Sequence, residues 1–444
     1  MRLALLTTAL VLFRAAPVHA QHLRDQISQL FIFGSGDEPL FLGGSGAPNN
    51  PQALQLHGSH FIPSANASNA TVISFLTNSI GSAVANLPVT AASGGSTFSF
   101  QGGVPVRTST STGPIFAERA QTLGQGRVLA TVTRSGLQFK TFRGVDLSNM
   151  KFTFTHANVD FPGCSQIFNG NCALLGVPSF ENDVIDLGLN LNVDLTVTSF
   201  LLTYGITDRI DFGVVVPLVN TSMTGNSAAQ IGPFGPPPVL HFFGGTPTNP
   251  VLTASRFVEG SSTGLGDVIA RAKINLHRGD PLSIAILADT RFPTGSEEDL
   301  LGSGSWAARG LGIVSAHFGN FSPHANVGYA YRGGEFESDA FLATAGFDHL
   351  MASWATLAVD LISEFEIGDS PLQVPAPVHF QAPFERTVVP TSIPDRRDDI
   401  INGSIGFKLT AFPGLTFIGN TIWPLNSGGL RADVIWTVGA EYNF

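Results

Sequence analysis

The sequence predicts an all-β protein, a transmembrane antiparallel β-barrel of about fourteen strands with twelve as the alternative count, behind an N-terminal plug-like segment. Three observations predict it. The chain ends in strict alternation, it opens with a stretch of export character, and its connections alternate between short and long. In the final LRADVIWTVGAEYNF, Leu430, Ala432, Val434, Trp436, Val438, Ala440, Tyr442 and Phe444 form one apolar row. Arg431, Asp433, Thr437, Glu441 and Asn443 supply the polar positions of the other row, with Ile435 and Gly439 between them. Period two places the rows on opposite faces of a strand. A soluble sandwich would wet the charged face, whereas a membrane barrel turns its apolar face to lipid and its polar face to the lumen.

The N-terminus supports an exported protein. Arg2 precedes the apolar run 3–13, and Val18, His19 and Ala20 place small residues before Gln21, so 1–20 reads as a signal peptide, although Arg14 is an awkward charge within it. No other apolar run reaches the ~18 residues of a membrane-spanning helix. Together with the terminal Tyr442 and Phe444, which resemble the strand signal by which bacterial outer-membrane barrels are recognised for assembly, this points to the bacterial outer membrane. The expected partners are outer-membrane lipid and lipopolysaccharide, the barrel assembly machinery and a small apolar ligand. Charged residues are only 13%, beside 49 Gly and 35 Phe, which suits a wall that meets lipid and bends. A net charge of −10 argues against nucleic acid, whose partners carry basic patches. Cys164 and Cys172 share one polar segment, and in an exported chain a disulfide is the expected pairing, worth roughly 2–3 kcal/mol by loop closure. A metal site there lacks neighbouring His or further Cys.

Taken in order, 21–95 forms an N-terminal plug or periplasmic segment, with a short helix over 70–87, and 96–444 forms the barrel. The first three strand candidates, 96–107, 127–142 and 150–157, alternate least cleanly. Over 186–203, Leu187, Leu189, Leu191, Val193, Leu195, Val197 and Leu201 oppose Asp186, Asn190, Asn192, Asp194, Thr196 and Thr198. Over 265–276, Val268, Ala270, Ala272, Ile274 and Leu276 oppose Asp267, Arg271, Lys273 and Asn275. Over 401–411, Ile405, Phe407 and Leu409 oppose Asn402, Ser404 and Lys408. Short turns are expected at 144–148, 205–208, 278–280, 319–320, 350–352 and 413, and long loops at 108–126, 158–182, 221–263, 294–305, 333–338, 367–398 and 425–429. Tight periplasmic turns and long outer loops give this alternation.

Four stretches, GPIFAERAQTLGQGR (113–127), LLTYGITDRIDFGVVVPLV (201–219), TGLGDVIARAKINL (263–276) and DTRFPTGSEEDLLGSG (289–304), carry a family resemblance. Together they resemble the outer-membrane barrel family labelled for the phenol-degradation meta-pathway (MetA-pathway), over about 113–444. That family is similar to channels for long-chain fatty acids and aromatic hydrocarbons, and the resemblance implies passage of such molecules without assigning binding residues.

Asp194, Asp267, Arg271, Lys273, Asp289, Arg291, Asp360, Glu364, Lys408, Arg431, Asp433 and Glu441 are the candidate lumen-lining charges. Either they form a constriction or ligand site, or they pair into a network that fills the barrel and holds a plug, since unpaired charge in a narrow lumen is costly. Phe234, Phe242, Phe243 and Phe257 are candidates for an apolar entry site in the outer loops. The stretch 260–264 matches G-x-S-x-G, but that motif needs a helix after its strand, and a barrel strand follows instead. His57 and His60 lack metal-ligand spacing, and neither a cofactor nor a catalytic constellation is expected. The function expected is gated, passive transport of small hydrophobic or aromatic compounds. A general porin for polar solutes, an outer-membrane enzyme and a structural barrel are the alternatives.

Overall fold

A strand in lipid must find a partner for every backbone N–H and C=O, so a membrane sheet has to close on itself. The computed structural model describes residues 22–31, 33, 67–85, 98–101, 104–107, 112–155, 183–234, 238–239, 241–372, 374–380 and 385–444. The expected signal peptide, both cysteines, His57 and His60 fall outside them. Among the described residues twelve strands close a ring. They are β1 (Val128–Phe142), β2 (Val184–Thr207), β3 (Ile210–Gly232), β4 (Val268–Arg278), β5 (Leu282–Phe292) and β6 (Ala307–Ala316). The ring continues through β7 (Phe321–Arg332), β8 (Ala340–Ala352), β9 (Ala355–Glu366), β10 (Ile400–Phe412), β11 (Leu415–Pro424) and β12 (Ile435–Asn443). Each pairs antiparallel with the next, and β12 returns to β1 with Tyr442 opposite Ala130 and Trp436 opposite Gly136.

Twelve is thus the strand count, and two of the fourteen candidates lie outside the ring. The first folds as a separate hairpin, Phe98–Gln101 against Val104–Arg107. The third, Met150–Thr155, pairs with the outer end of β2 and does not cross the membrane. The turn at 144–148 therefore lies on the long-loop side, where Gly144 adopts φ 80° and the Asp146 carboxylate accepts from Ser148 N at 2.8 Å. That bond holds the Asp146 carboxyl below its ordinary pKa. The loop expected over 221–263 is mostly sheet: β3 runs on to Gly232, and the strand Thr253–Leu265 pairs with it from Leu265–Leu218 to Thr253–Gln230.

The outward rows show where the membrane ends. On β2 the outward residues Phe200, Leu202, Tyr204 and Ile206 are exposed and apolar, while Asp186, Asn190 and Asp194 higher on the same face are exposed and polar. On β3 the switch falls between Leu218 and Asn220, and on β1 between Val132 and Arg134. These switches are level, because Thr198 pairs with both Leu218 and Arg134. Above that level the sheet stands in water and its inward row is the apolar one. This corrects the face expected over 186–198. Leu187, Leu189, Leu191, Val193, Leu195 and Val197 point into a core, and Asp194 points outward rather than into the lumen.

Strands β4–β12 carry the apolar outward row for most of their length, flanked by aromatics. Phe318, Phe321, Trp354, Phe412, Tyr442 and Phe444 ring the short-turn end, and Trp306, Tyr331, Phe341, Trp423 and Trp436 ring the other. From Phe321 to Tyr331 on β7, ~3.3 Å per residue and a tilt of ~40° separate the rings by about 25 Å, the height of an outer-membrane barrel's apolar band. At the closing seam Phe444 N donates to Val128 O at 2.9 Å, and the Tyr442 and Phe444 rings meet edge to face at 4.6 Å.

Above the membrane, helices α1 (Leu23–Gln29) and α2 (Ala67–Ala85) pack under the raised sheet. Neither these nor any other described helix is long and apolar enough to cross a membrane. Leu23 and Ile27 from the first, Leu30 and Phe31 just after it, and Phe75, Leu76 and Ile80 from the second share one buried cluster with Phe139, Phe142, Leu189, Val193 and Met223. Hence the sequence rows on β1–β3 could be inverted without loss of burial.

Face assignment on β7 is directly testable. Val327 is outward and exposed between the two aromatic rings, and Ser322 on the same strand is buried, its Oγ 3.3 Å from His317 Nδ1. Val327→Arg should cost about 2–4 kcal/mol near the bilayer midplane. Ser322→Ala should cost only about 1 kcal/mol. Urea unfolding from lipid vesicles measures both, and equal losses would reverse the faces.

Candidate functional site, a chamber in the lumen

The stretch 112–126, which the sequence suggests is an outer loop, instead lies inside the lower barrel at the short-turn end. Its correction follows from the strand count, because with twelve strands this stretch precedes β1 and enters from below. Thr112 begins it beside β9 and β10, its N–H donating to Thr356 Oγ1 and its C=O accepting from Lys408 Nζ at 3.3 Å. It climbs to Phe116 and Glu118 and returns to β3, where Leu123 N donates to Asp211. At its exit Gly205 is indispensable. A Cβ there would sit 1.9 Å from Gly124 O, a backbone atom that cannot step aside.

Buried charge fixes the tip. Lys273 Nζ lies 2.6 Å from Glu118 Oε2 and donates to Arg119 O at 3.1 Å, while Arg271 reaches Glu118 at 3.4 Å and Asp289 at 3.6 Å. Arg309 completes this chain on Asp289. On the opposite wall Arg119 forms a two-pronged pair with Asp348, at 2.6 and 3.1 Å. Below Asp348, His324 lies 3.7 Å from it and 2.7 Å from Asp360. Lys408 pairs with Glu441 at 3.1 Å. Backbone groups of the tip are bound as well, Asn275 donating to Ala120 O at 2.7 Å and Ser315 accepting from Ala120 N at 3.1 Å.

The mouth above is closed by apolar packing and a second set of charges. Asp267 accepts from Gly295 N and Ser303 N, which anchors 295–303 over the mouth, and Arg291 lies 3.7 Å from it. His22 before α1 binds Asp299 at 2.9 Å and Glu298 at 3.0 Å, and the hydrogen bond to Asp299 raises its pKa above the ordinary histidine value. The second helix joins Ser82 to Glu337.

Between the two closures lies a cavity of about 310 Å³. Phe75 of α2 forms its roof and Phe116 its floor, with Phe139, Leu342, Ile362 and Ile435 on the walls. Of the charges expected in the lumen, only Glu364 and Arg431 line this chamber, joined by Glu118, Arg309, Arg332, Glu337, Glu366 and Asp398. Asp267, Arg271, Lys273, Asp289, Arg291, Asp360, Lys408 and Glu441 are all paired or hydrogen-bonded elsewhere along the lumen. Asp433 is exposed, because the chain breaks register between Arg431 and Ala432 and leaves it at a gap above β12. That break also turns Ala432 inward, against the row expected from alternation.

Nor do the entry candidates line the chamber. Phe242 is buried and Phe243 packs on the outer core, 5.6 Å from Phe33. Phe234 stacks under the Arg386 guanidinium at 5.4 Å, and Phe257 is exposed on the outer sheet. The G-x-S-x-G stretch is part of the strand Thr253–Leu265, with no helix after it.

Comparison with known proteins adds a family. Residues 178–351 match the family model "Putative MetA-pathway of phenol degradation". The chain resembles that family. It is an outer-membrane β-barrel, as its closed sheet, aromatic rings and lipid-facing band require. No curated protein sequence matches it significantly. Among solved structures, an outer membrane channel from Pseudomonas putida F1 aligns at 10% identity over 73% of this chain and 98% of that one, with a TM-score of 0.40. A Pseudomonas aeruginosa FadL homologue aligns at 12% identity over 71% and 90%, with a TM-score of 0.33. The translocator domain of autotransporter NalP from Neisseria meningitidis aligns at 8% identity over 72% and 89%, also at 0.33.

The anchoring of 112–126 can be tested at Arg119. Removing it takes the two-pronged guanidinium partner from the buried Asp348 carboxylate, so Arg119→Ala should destabilise by about 3–5 kcal/mol. It should also raise single-channel conductance in planar bilayers. An unchanged conductance with full loss of stability would mean that the stretch does not limit ion flow.

Proposed function

We propose that the protein is a passive outer-membrane channel for small apolar or aromatic molecules, which pause in the chamber between Phe75 and Phe116. The observation that supports this is a cavity of about 310 Å³ between the two plugs, with Phe75, Phe116, Phe139, Leu342, Ile362 and Ile435 on its surface. An open porin lumen is polar and wet throughout, whereas a molecule leaving water gains most from a dry, aromatic surface. The described part of 21–95 acts as an outer plug, and 112–126 as an inner one. The inner plug is bound by ion pairs and hydrogen bonds, which water can replace as the stretch moves, so it is the end that opens toward the periplasm. The outer plug is bound mainly by apolar contacts that water does not replace. In this reading the barrel sits in outer-membrane lipid and lipopolysaccharide, is inserted by the barrel assembly machinery through its terminal Tyr442 and Phe444, and performs no catalysis.

Uptake of toluene by cells carrying the channel tests the reading. Phe116→Asp should slow it severalfold, because a carboxylate on the floor keeps the chamber hydrated. The intact protein should meanwhile conduct ions poorly, and deleting 21–95 should raise conductance while heat-modifiable migration persists. Steady conductance of the intact protein, with uptake indifferent to Phe116→Asp, would favour the general porin.

A further inference from the structure

Every charged group on the chamber wall except one has an opposite charge or a strong donor of its own. Arg309 is held by Asp289, and Arg332 binds Glu364 at 2.7 Å. Glu118 is taken by Lys273, Glu337 lies 3.6 Å from Arg291, and Asp398 is clasped by Arg143 at 2.8 Å through both oxygens. Glu366 accepts from Ser338 Oγ and Asp398 N. Arg431 differs. It is buried at 6% exposure, and among the described residues no carboxylate oxygen lies within 4 Å of it. Its Nη2 donates to neutral oxygens: Asn402 Oδ1 at 2.8 Å, Ile401 O at 2.9 Å and Asn426 Oδ1 at 3.3 Å. Its Nε has no hydrogen-bond partner among the described residues. Glu364 acts on it only at longer range and is already bound by Arg332.

A guanidinium held in place by neutral acceptors, facing a chamber with an aromatic side and with donor capacity to spare, is a site for an anion. An uncompensated buried cation is costly, and a carboxylate offers its planar fork two acceptors at once. We infer that Arg431 receives the head group of an amphipathic monoanion, a small carboxylate whose apolar or aromatic body lies against Phe116, Phe139 and Ile435. One spare cation matches a single negative charge, and the chamber's size and aromatic walls match a compact body. The inference rests on the chamber reading above and narrows its ligand from apolar molecules to those with one anionic end.

Benzoate, its uncharged counterpart benzamide, and toluene separate these ideas in detergent-refolded protein, with binding followed by calorimetry. Benzoate should bind at least tenfold tighter than benzamide. Arg431→Gln should weaken benzoate at least tenfold while moving toluene by less than twofold, and Arg431→Lys should recover part of the loss. Equal binding of benzoate and benzamide by the unaltered protein would overturn the head-group assignment, as would benzoate binding indifferent to Arg431→Gln. The benzoate–benzamide comparison needs no variant, so it decides the matter even where Arg431→Gln fails to refold. Toluene binding to the unaltered protein reports on the chamber by itself, and its absence together with that of benzoate would sink both readings.

Discussion

Closure of β12 onto β1 is the constraint on which everything else depends. In hydrocarbon an unpaired strand edge exposes a row of backbone groups that nothing can satisfy, so the sheet must end where it began. The register Tyr442–Ala130 through Trp436–Gly136 achieves this. Gly136 opposes the large Trp436 ring because nothing bulkier fits: a Cβ there would lie 2.4 Å from the indole. Once the ring closes, each strand has one face to lipid and one to the lumen, and every later choice of side chain follows that division.

The division is not uniform around the ring. Strands β1–β3 outrun the membrane, and their outward rows turn from apolar to polar at one height, fixed by the pairs Thr198–Leu218 and Thr198–Arg134. Above it the apolar side must point inward, which creates a concave surface that only apolar material can fill. Leu30, Phe31, Phe75 and Ile80 supply that material. The outer closure is therefore a consequence of strand length. The inner closure has a different origin, since the lower lumen is polar and 112–126 is tied into it by Glu118 and Arg119 through charges on opposite walls.

Much of this was legible from alternation alone. The strands from β4 to β12, their lipid faces and both aromatic rings follow from period two, because the outward row there is apolar and the inward row charged. Over 186–198 the same pattern misleads for a physical reason: alternation separates two faces but cannot say which one meets lipid when the interior holds a helical core. Asp194 was misplaced on that account. Asp433 was misplaced because a single register break above β12 is invisible in the spacing of side chains. The inner plug escaped notice because a Gly-rich stretch beside a weak strand candidate reads as a loop. Its one available signal was the Glu118–Arg119 pair, adjacent charges of opposite sign and the only charged residues of 108–126.

The lumen charges then resolve into two kinds. Most are consumed in holding something: Lys273 and Arg271 hold Glu118, Asp348 holds Arg119, and Asp267 holds the 295–303 turn. Such groups gain little from a passing ligand, because pairing has already repaid their desolvation. A group that binds cargo must instead be positioned without being neutralised. Neutral oxygens do this for Arg431, orienting the fork while leaving its charge intact. The same logic explains why Arg431 sits where the strand Leu430–Ala432 breaks from β12. A regular strand would have placed its neighbours opposite it in the ladder, whereas here Asn402 reaches it from β10, two strands from β12, and Asn426 from the loop before it. Irregular backbone at the rim of the membrane is tolerated only where it faces protein or a cavity, and here it faces the chamber.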